Sequence, residues 1–315
     1  MKKCSLTIAI CTYNRANIIS ECLASLNKQT VDSTNYTLLV IDNNSTDNTK
    51  EIVSSFKDKF SKLVIISEHA QGLSHARNRA LEECETEWLA FLDDDAKAHP
   101  NWVSTILETI QKDDFDAFGG PYYAWHHYGP APRWFPDNFG TYESPQGYGL
   151  LTGDTYIPGG NSIIRCAAAR ATGTFSTKLG MNGKHCGYGE ETQFFERMRA
   201  AGYRLGYVPQ LKIDHCVLPY KYTLTWQISA IFKKGRSAQY VNIPIKKFFP
   251  LRFLWHCGRS ILYIIKEILT NKSSPWSKIL FTHTNSLLWD CGLLYERHIV
   301  PLLRCISKIR EKFHA

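Results

Sequence analysis

The chain has 315 residues, of which 44% are hydrophobic and 21% charged, a composition that excludes a disordered polymer and allows one large α/β domain with an appendage or two small domains. Ten cysteines occur without a C-x-x-C pair, and no apolar secretory core follows the opening MKKCSLTIAI, which points to reduced thiols in a cytoplasmic compartment and away from structural zinc. The net charge of +8 is uneven: residues 216–315 carry 16 Lys and Arg against 4 Asp and Glu, a net +12, and the first 215 residues carry −4. A mildly acidic body followed by a basic tail suggests that the tail faces something anionic.

SLTIAICTYNRANIISECLASLNKQ reads as a strand over 5–11, a turn and a helix whose apolar face joins Ile18, Cys22 and Ser25 with Ile19, Leu23 and Leu26. YTLLVIDNNSTDNTKEIVSSF repeats the plan, with a strand over 37–41, a polar turn and a helix starting near Thr46 or Asp47. SKLVIISEH predicts a third strand, GLSHARNRALEEC a third helix and EWLAFLDDD a fourth strand. Short apolar strands alternating with amphipathic helices predict an α/β fold, a Rossmann-like, mostly parallel sheet with helices on both faces. Ligands bind beyond the carboxyl ends of the strands in such sheets. Tyr13, Asn14, Asp42, Asn43 and Asp93 to Asp95 are therefore expected to converge on one cleft.

Residues 119–160 are rich in Gly, Pro and aromatics, a length of loop that is uncommon unless functional. NSIIRCAAARATG predicts a strand running into a helix. The stretch from Gly187 to His215 predicts a helix with Phe195 and Met198 inward, a stop at Gly202 and a final strand. Beyond it the tail is basic, aromatic and helical. Its most apolar stretch, 251–269, contains Arg252, His256, Arg259, Lys266 and Glu267, which disfavours a membrane span. An interfacial amphipathic helix and a helix packed on the body both remain open for it. The tail contains no recognisable nucleic-acid-binding module, so nucleic acid is not an expected partner.

Three adjacent carboxylates, Asp93, Asp94 and Asp95, follow the fourth strand directly. Side chains alternate along a strand, so Asp93 and Asp95 can share a cation, and hard oxygen ligands at this spacing suit Mg2+ or Mn2+. An acidic turn or helix cap is the alternative; it explains one aspartate more readily than three. Asp42 can accept from a nucleobase or a ribose hydroxyl or cap the next helix, and Tyr13 can stack on a base or cover the core edge. Arg77, near the start of the third helix, can meet a phosphate, meet the aspartates or stand in solvent. Glu190 and Glu191 open a helix behind two glycines, where a carboxylate can serve as a general base or simply favour the helix start. His215 is a third metal ligand or a histidine satisfied at a strand end.

The segments TIAICTYNR, VIDNNSTDNT, GLSHARNRAL, AFLDDDA, PGGNSIIR and GYGEETQFFERMRAAG follow the order and spacing of family 2 glycosyltransferases of the GT-A fold. The resemblance covers roughly residues 5–215. It implies transfer of a sugar from a nucleotide-sugar donor, usually UDP-linked, with inversion and with Mn2+ or Mg2+, to a glycan or lipid-linked acceptor. By the same resemblance Tyr13, Asp42, Arg77, Asp93 and Asp94 would bind the donor, with Asp95 the direct metal ligand. Gly160 and Asn161 would border the acceptor, and Glu191 or Glu190 would be the catalytic base. Trp125 and Trp134 are expected to stack on acceptor sugars. The chain departs from the family in having Glu190-Glu191 for the usual Glu-Asp pair and DNNS for Asp-Asp-Gly-Ser. The expected organisation is a nucleotide-sugar-binding half over 1–118, an acceptor-binding and catalytic half over 119–218, and a helical, basic tail over 219–315. The tail would rest on an anionic membrane surface at the inner face of the cell membrane. The rival functions are a catalytically inactive sugar-nucleotide or glycan-binding module and a nucleotidyltransferase; CTYNRAN lacks the Gly-rich triphosphate loop the latter would need.

Overall fold

The apolar runs LTIAICT (β1, Leu6–Thr12) and YTLLVID (β2, Tyr36–Asp42) are buried along almost their whole length. Alternate residues of these strands feed two different cores. Leu6, Ile8, Ile10, Leu38 and Val40 face a cluster that includes Ile19, Cys22, Leu23 and Leu26 of helix α1 (Ile19–Asn27). Ala9, Leu39 and Ile41 face the opposite cluster. There they meet Ala76, Ala80 and Leu81 of α3 (Leu73–Glu83) and Phe194, Phe195 and Met198 of α6 (Glu190–Ala200). A strand covered on both faces has no place for a polar alternation, which is why these segments read as continuous apolar runs. Each such Leu or Ile contributes about 1.5–3 kcal/mol by leaving water.

The computed structural model describes residues 5–153, 155–182, 187–238, 240–241, 255, 257–263 and 276–300. They fall into two units, the first within 1–127, 140–185 and 190–217 and the second within 128–139, 186–189 and 218–315. The first unit holds an eight-stranded sheet of order β3-β2-β1-β4-β9-β6-β10-β8, with β3 at Leu63–Ser67, β4 at Trp88–Leu92, β6 at Ala117–Gly119, β8 at Gly149–Leu150, β9 at Asn161–Arg165 and β10 at Leu205–Tyr207. β1, β2, β3 and β4 run parallel, as the sequence predicts. β9 is inserted antiparallel between β4 and β6, a reversal the apolar pattern does not reveal. A second sheet, β5-β11-β7, joins Ala96–Ala98, Ile213–Cys216 and Tyr122–Trp125. It brings the end of the IDH segment beside the aspartates that follow β4.

The second helix starts at Thr49 and not at Thr46 or Asp47. Asp47 accepts hydrogen bonds from the backbone of Ala16 and Thr49, and Asn14 accepts from the backbone of Thr46, so these residues tie the loop after β2 to the loop after β1. The second unit holds α7 (Leu224–Ala238) and α8 (Trp276–Leu294). The two helices cross backbone to backbone: a Cβ on Gly235 would lie 1.9 Å from the Trp289 carbonyl oxygen, and one on Gly292 would lie 1.9 Å from that of Phe232. Arg236 pairs with Glu296 at 2.6 Å, and the Tyr240 hydroxyl donates to the same carboxylate at 2.9 Å. Among the described residues no helix is long and apolar enough to cross a membrane. Of the stretch 251–269, residues 255 and 257–263 are described and 257–263 are helical; the remainder lies outside the described residues.

Candidate active site

The loops after β1 and β2 form one rim. Asn14 and Asn44 hold the left-handed backbone that sharp polar turns need, at φ 52° and 64°. The backbone amide of Asn14 donates to Ser45 Oγ, and that of Arg15 donates to Thr49 Oγ1. Asn43 is buried and clasps the next loop, donating to the Glu68 and Ala70 carbonyls and accepting from the Gly72 amide. Asp42 is buried at the end of β2, with the Ser45 amide 3.4 Å from Oδ1, while Tyr13 is exposed beside it in the loop after β1. The sequence-predicted donor residues Tyr13, Asp42 and Asp94 thus all stand at adjacent strand ends.

The three aspartates are not equivalent. Asp94 points back toward β1, where Arg15 Nε lies 3.1 Å from its Oδ1. Asp93 and Asp95 face His215, whose Nε2 lies 3.7 Å from Asp93 Oδ2 and 3.2 Å from Asp95 Oδ1. Strand pairing explains the meeting: His215 of β11 is registered against Ala96 of β5, and the Cys216 amide donates to the Asp95 carbonyl. One ligand atom from each of Asp93, Asp95 and His215 lies within 4.8 Å of the others. Two carboxylate oxygens and an imidazole nitrogen at that spread fit a divalent cation. The charge balance agrees. Burial raises the Asp93 carboxyl against the pull of His215 and Arg77, and burial, with the neighbouring aspartates, pushes Asp94 up to about 6 despite Arg15. Burial disfavours the charged forms of these carboxylates, a cost that a bound cation would offset.

Across from the aspartates stands the turn Pro158-Gly159-Gly160, whose two glycines have no room for side chains. A Cβ on Gly160 would lie 1.9 Å from Asp93 Oδ2, and one on Gly159 would lie 2.8 Å from Arg77 Nη2 and 3.1 Å from Glu191 Cβ. Beneath the turn, Arg77 is only 4% exposed. Its Nη1 lies 2.7 Å from Glu190 Oε1 and its Nη2 lies 4.0 Å from Asp93 Oδ1. The rings of Phe91 and Phe175 flank the guanidinium at 5.8 and 5.7 Å. Of the partners expected for Arg77, the structure shows the carboxylates: the side chain is enclosed and engaged with Glu190 and Asp93. The two glutamates also separate. Glu190 is buried, and burial and the adjacent Glu191 push its carboxyl up to about 8 against the pull of Arg77. Glu191 is half-buried, borders Gly159, and among the described residues has no salt bridge.

Three aromatic and polar expectations change. Asn161 is 0% exposed; its Oδ1 accepts from Trp102 Nε1 and its Nδ2 donates to the Pro121 and Leu211 carbonyls. Its side chain fastens the core and does not border an acceptor. Trp125 is paired with Cys216 on the face of its sheet opposite His215, where Lys97 Nζ sits 3.7 Å above its ring. Trp134 belongs to the second unit and packs edge-on against Phe135. The aromatics that do stand beside His215 are tyrosines. The Tyr122 ring is 5.9 Å from the His215 ring and stacks on Tyr142, which in turn lies 4.3 Å from Tyr156. The alternation of YYAW along β7 carries the signal, since it puts Tyr122 on the same face as the residue registered with His215. Arg15 was a second residue to find, marked by its place directly after the first strand and its turn.

A Rossmann-like sheet with a D-x-D-type acidic cluster at one strand end and a second acidic pair on a facing helix is the arrangement expected of a GT-A glycosyltransferase. Comparisons with known proteins agree. The family model described as glycosyl transferase family 2 matches residues 7–173, more than half of the chain. The succinoglycan biosynthesis protein ExoM of Rhizobium meliloti is 30% identical over 258 residues, covering 80% of this chain and 79% of its own. The glucosyl-dolichyl phosphate glucuronosyltransferase of Haloferax volcanii is 25% identical, covering 76% and 77%. Among solved structures, the mannosyltransferase PcManGT of Pyrobaculum calidifontis with GDP-Man and Mn2+ superposes with a TM-score of 0.59 at 15% identity, over 93% of this chain and 86% of that one. S. aureus TarS 1-349 with UDP-GlcNAc gives 0.55 at 17% identity, over 93% and 91%. The chain belongs to glycosyl transferase family 2 and is a glycosyltransferase.

Proposed function

We propose that this glycosyltransferase is metal-dependent and inverting, and that it moves a hexosyl or N-acetylhexosaminyl group from a UDP-sugar to a glycan or lipid-linked acceptor during cell-surface polysaccharide or glycoconjugate synthesis. The observation that carries the reading is the opposition of Asp93, Asp95 and His215 to Glu191 across the Gly159-Gly160 turn. The names of the relatives, one in succinoglycan biosynthesis and one acting on a glucosyl-dolichyl phosphate, support an exopolysaccharide or lipid-linked acceptor.

Residues 1–118 hold the donor: Tyr13 stacks on the base, and Asp42 and Asp94 accept from base and ribose. Asp93, Asp95 and His215 hold Mn2+ or Mg2+, and the bound cation supplies charge neutralisation for the departing diphosphate. Residues 119–218 hold the acceptor, bordered by Gly160 and the tyrosines. Glu191 takes the proton of the acceptor hydroxyl. That oxygen attacks the anomeric carbon from the face opposite the diphosphate, forming one C–O bond as the other breaks. The bonding electrons leave with the nucleoside diphosphate, and inversion follows from the single in-line displacement. Glu190 is the partner of Arg77 and not the base.

The tail over 219–315 holds the enzyme on an anionic leaflet at the cytoplasmic face of the membrane. Its net +12 and the exposed Trp255, Ile261, Leu262 and Tyr263 around Arg259 support that placement. Release of nucleoside diphosphate from a panel of sugar nucleotides, with and without Mn2+, tests the catalytic reading. One donor turned over only with metal, and not by Asp95→Ala, is the expected result; nucleotide binding without turnover on any donor or acceptor extract would refute it.

A further inference from the structure

Arg77 is a buried cation that the reaction above leaves without a role. Its guanidinium is flanked by the Phe91 and Phe175 rings and roofed by the Gly159 backbone. Its charge is shared by three carboxylates in two parts of the site: Glu190 at 2.7 Å with Glu191 beside it on the first turn of one helix, and Asp93 at 4.0 Å, in the cation cluster. Whatever takes charge from one of these carboxylates changes how strongly Arg77 holds the others. The contact at 4.0 Å is the looser of the two and the one a divalent cation would compete for.

We propose that Arg77 is a positioning residue that couples cation occupancy to placement of the base. This inference rests on reading Asp93, Asp95 and His215 as the cation site. With a divalent ion beside it, Asp93 gives its charge to the ion, and Arg77 closes wholly on Glu190, fixing the first turn of the helix and with it Glu191. Without the ion, Arg77 is drawn toward Asp93 and the helix start is held less firmly. Such coupling is reciprocal, so a change at Glu190 must appear in cation affinity. Gly159 and Gly160 belong to the same device, because any side chain there would displace Arg77 or Asp93.

The test is a titration of the full chain with MnCl2 alone, free Mn2+ being read by its paramagnetic resonance, on wild type, Glu190→Gln, Arg77→Met and the double variant. Above about pH 8, where the Glu190 carboxyl is ionised, Glu190→Gln turns the arginine to Asp93, where it competes with the ion, so Kd rises about three- to tenfold. In Arg77→Met the competitor is gone, so Kd falls by about the same factor; methionine also fills the space between the two phenyl rings. In the double variant Glu190→Gln has no further effect, because it acts only through Arg77. A purely structural role would weaken binding in both single variants, and that result would overturn the proposal. So would an equal effect of Glu190→Gln with and without Arg77. The double variant removes both buried charges together, which keeps a folded protein in the cycle should a single variant unfold. Wild type that binds no Mn2+ would remove the cation-site reading itself, whereas binding without coupling would remove this inference alone.

Discussion

The two acidic clusters of the first unit meet the same difficulty, adjacent carboxylates in a poorly solvated place, and resolve it differently. At the end of β4, Asp94 is turned to Arg15 while Asp93 and Asp95 are left facing a histidine across a gap of ligand size. At the start of α6, Glu190 is turned inward to Arg77 and Glu191 is left at the Gly159 turn. In each cluster an arginine pairs closely with one carboxylate, and the others are left to face the gap or the turn. Charge count alone does not separate function from scaffold; the direction in which each acid points does.

The largest effect is expected at the aspartates. Asp95→Ala should lower Mn2+-dependent release of nucleoside diphosphate by about 10³-fold or more, with Mn2+ affinity falling in parallel, because the variant removes a direct ligand and its charge. Unchanged metal dependence would dissolve the distinction between Asp95 and Asp94. Gly160→Ala should come next. Its Cβ would displace Asp93 and cost about 1–3 kcal/mol in stability, with about a 10²-fold loss of turnover from ångström-scale misplacement, readable by thermal unfolding and initial rates.

A pH profile sharpens the glutamate side. Burial raises the Glu190 carboxyl to about 8 from an ordinary value near 4.5, so the folded state binds its proton more tightly than the unfolded chain. That contribution to stability is complete below the unfolded value and is lost as pH rises through about 8. The melting temperature of metal-free protein should therefore fall between about pH 5 and 8, and the slope should flatten in Glu190→Gln. A slope of opposite sign would show that the Arg77 pair dominates. Arg15→Ala should do least: its pair with Asp94 is partly solvated, so nucleotide affinity should change by less than about fivefold in a calorimetric titration with UDP.

Much of this was legible in the chain. Apolar runs at strand ends placed Tyr13, Asp42 and Asp93 to Asp95 on one rim, because strand period and sheet polarity are local properties. The pairing of His215 with Asp95 was visible only as an alternative, since it depends on β11 finding β5. Burial was the main source of error. Nothing local distinguishes an asparagine that borders a ligand from Asn161, which satisfies a Trp102 donor and two carbonyls inside the core. Nor does a helix-start arginine announce that two phenyl rings will enclose it, as Phe91 and Phe175 enclose Arg77. Trp125 was read within a long loop, and its place on a strand, on the face opposite His215, depends on pairing with β11.

The division of labour between the two glutamates is the most exposed part of the account, and one measurement addresses it. Transfer rates of Glu191→Gln and Glu190→Gln should be compared at saturating donor and Mn2+, with UDP affinity measured alongside. The division predicts that Glu191→Gln loses about 10²–10⁴-fold in rate with UDP affinity unchanged, and that Glu190→Gln loses much less. The reverse order, with Glu190→Gln inactive and Glu191→Gln near wild type, would contradict it and make the buried partner of Arg77 the base.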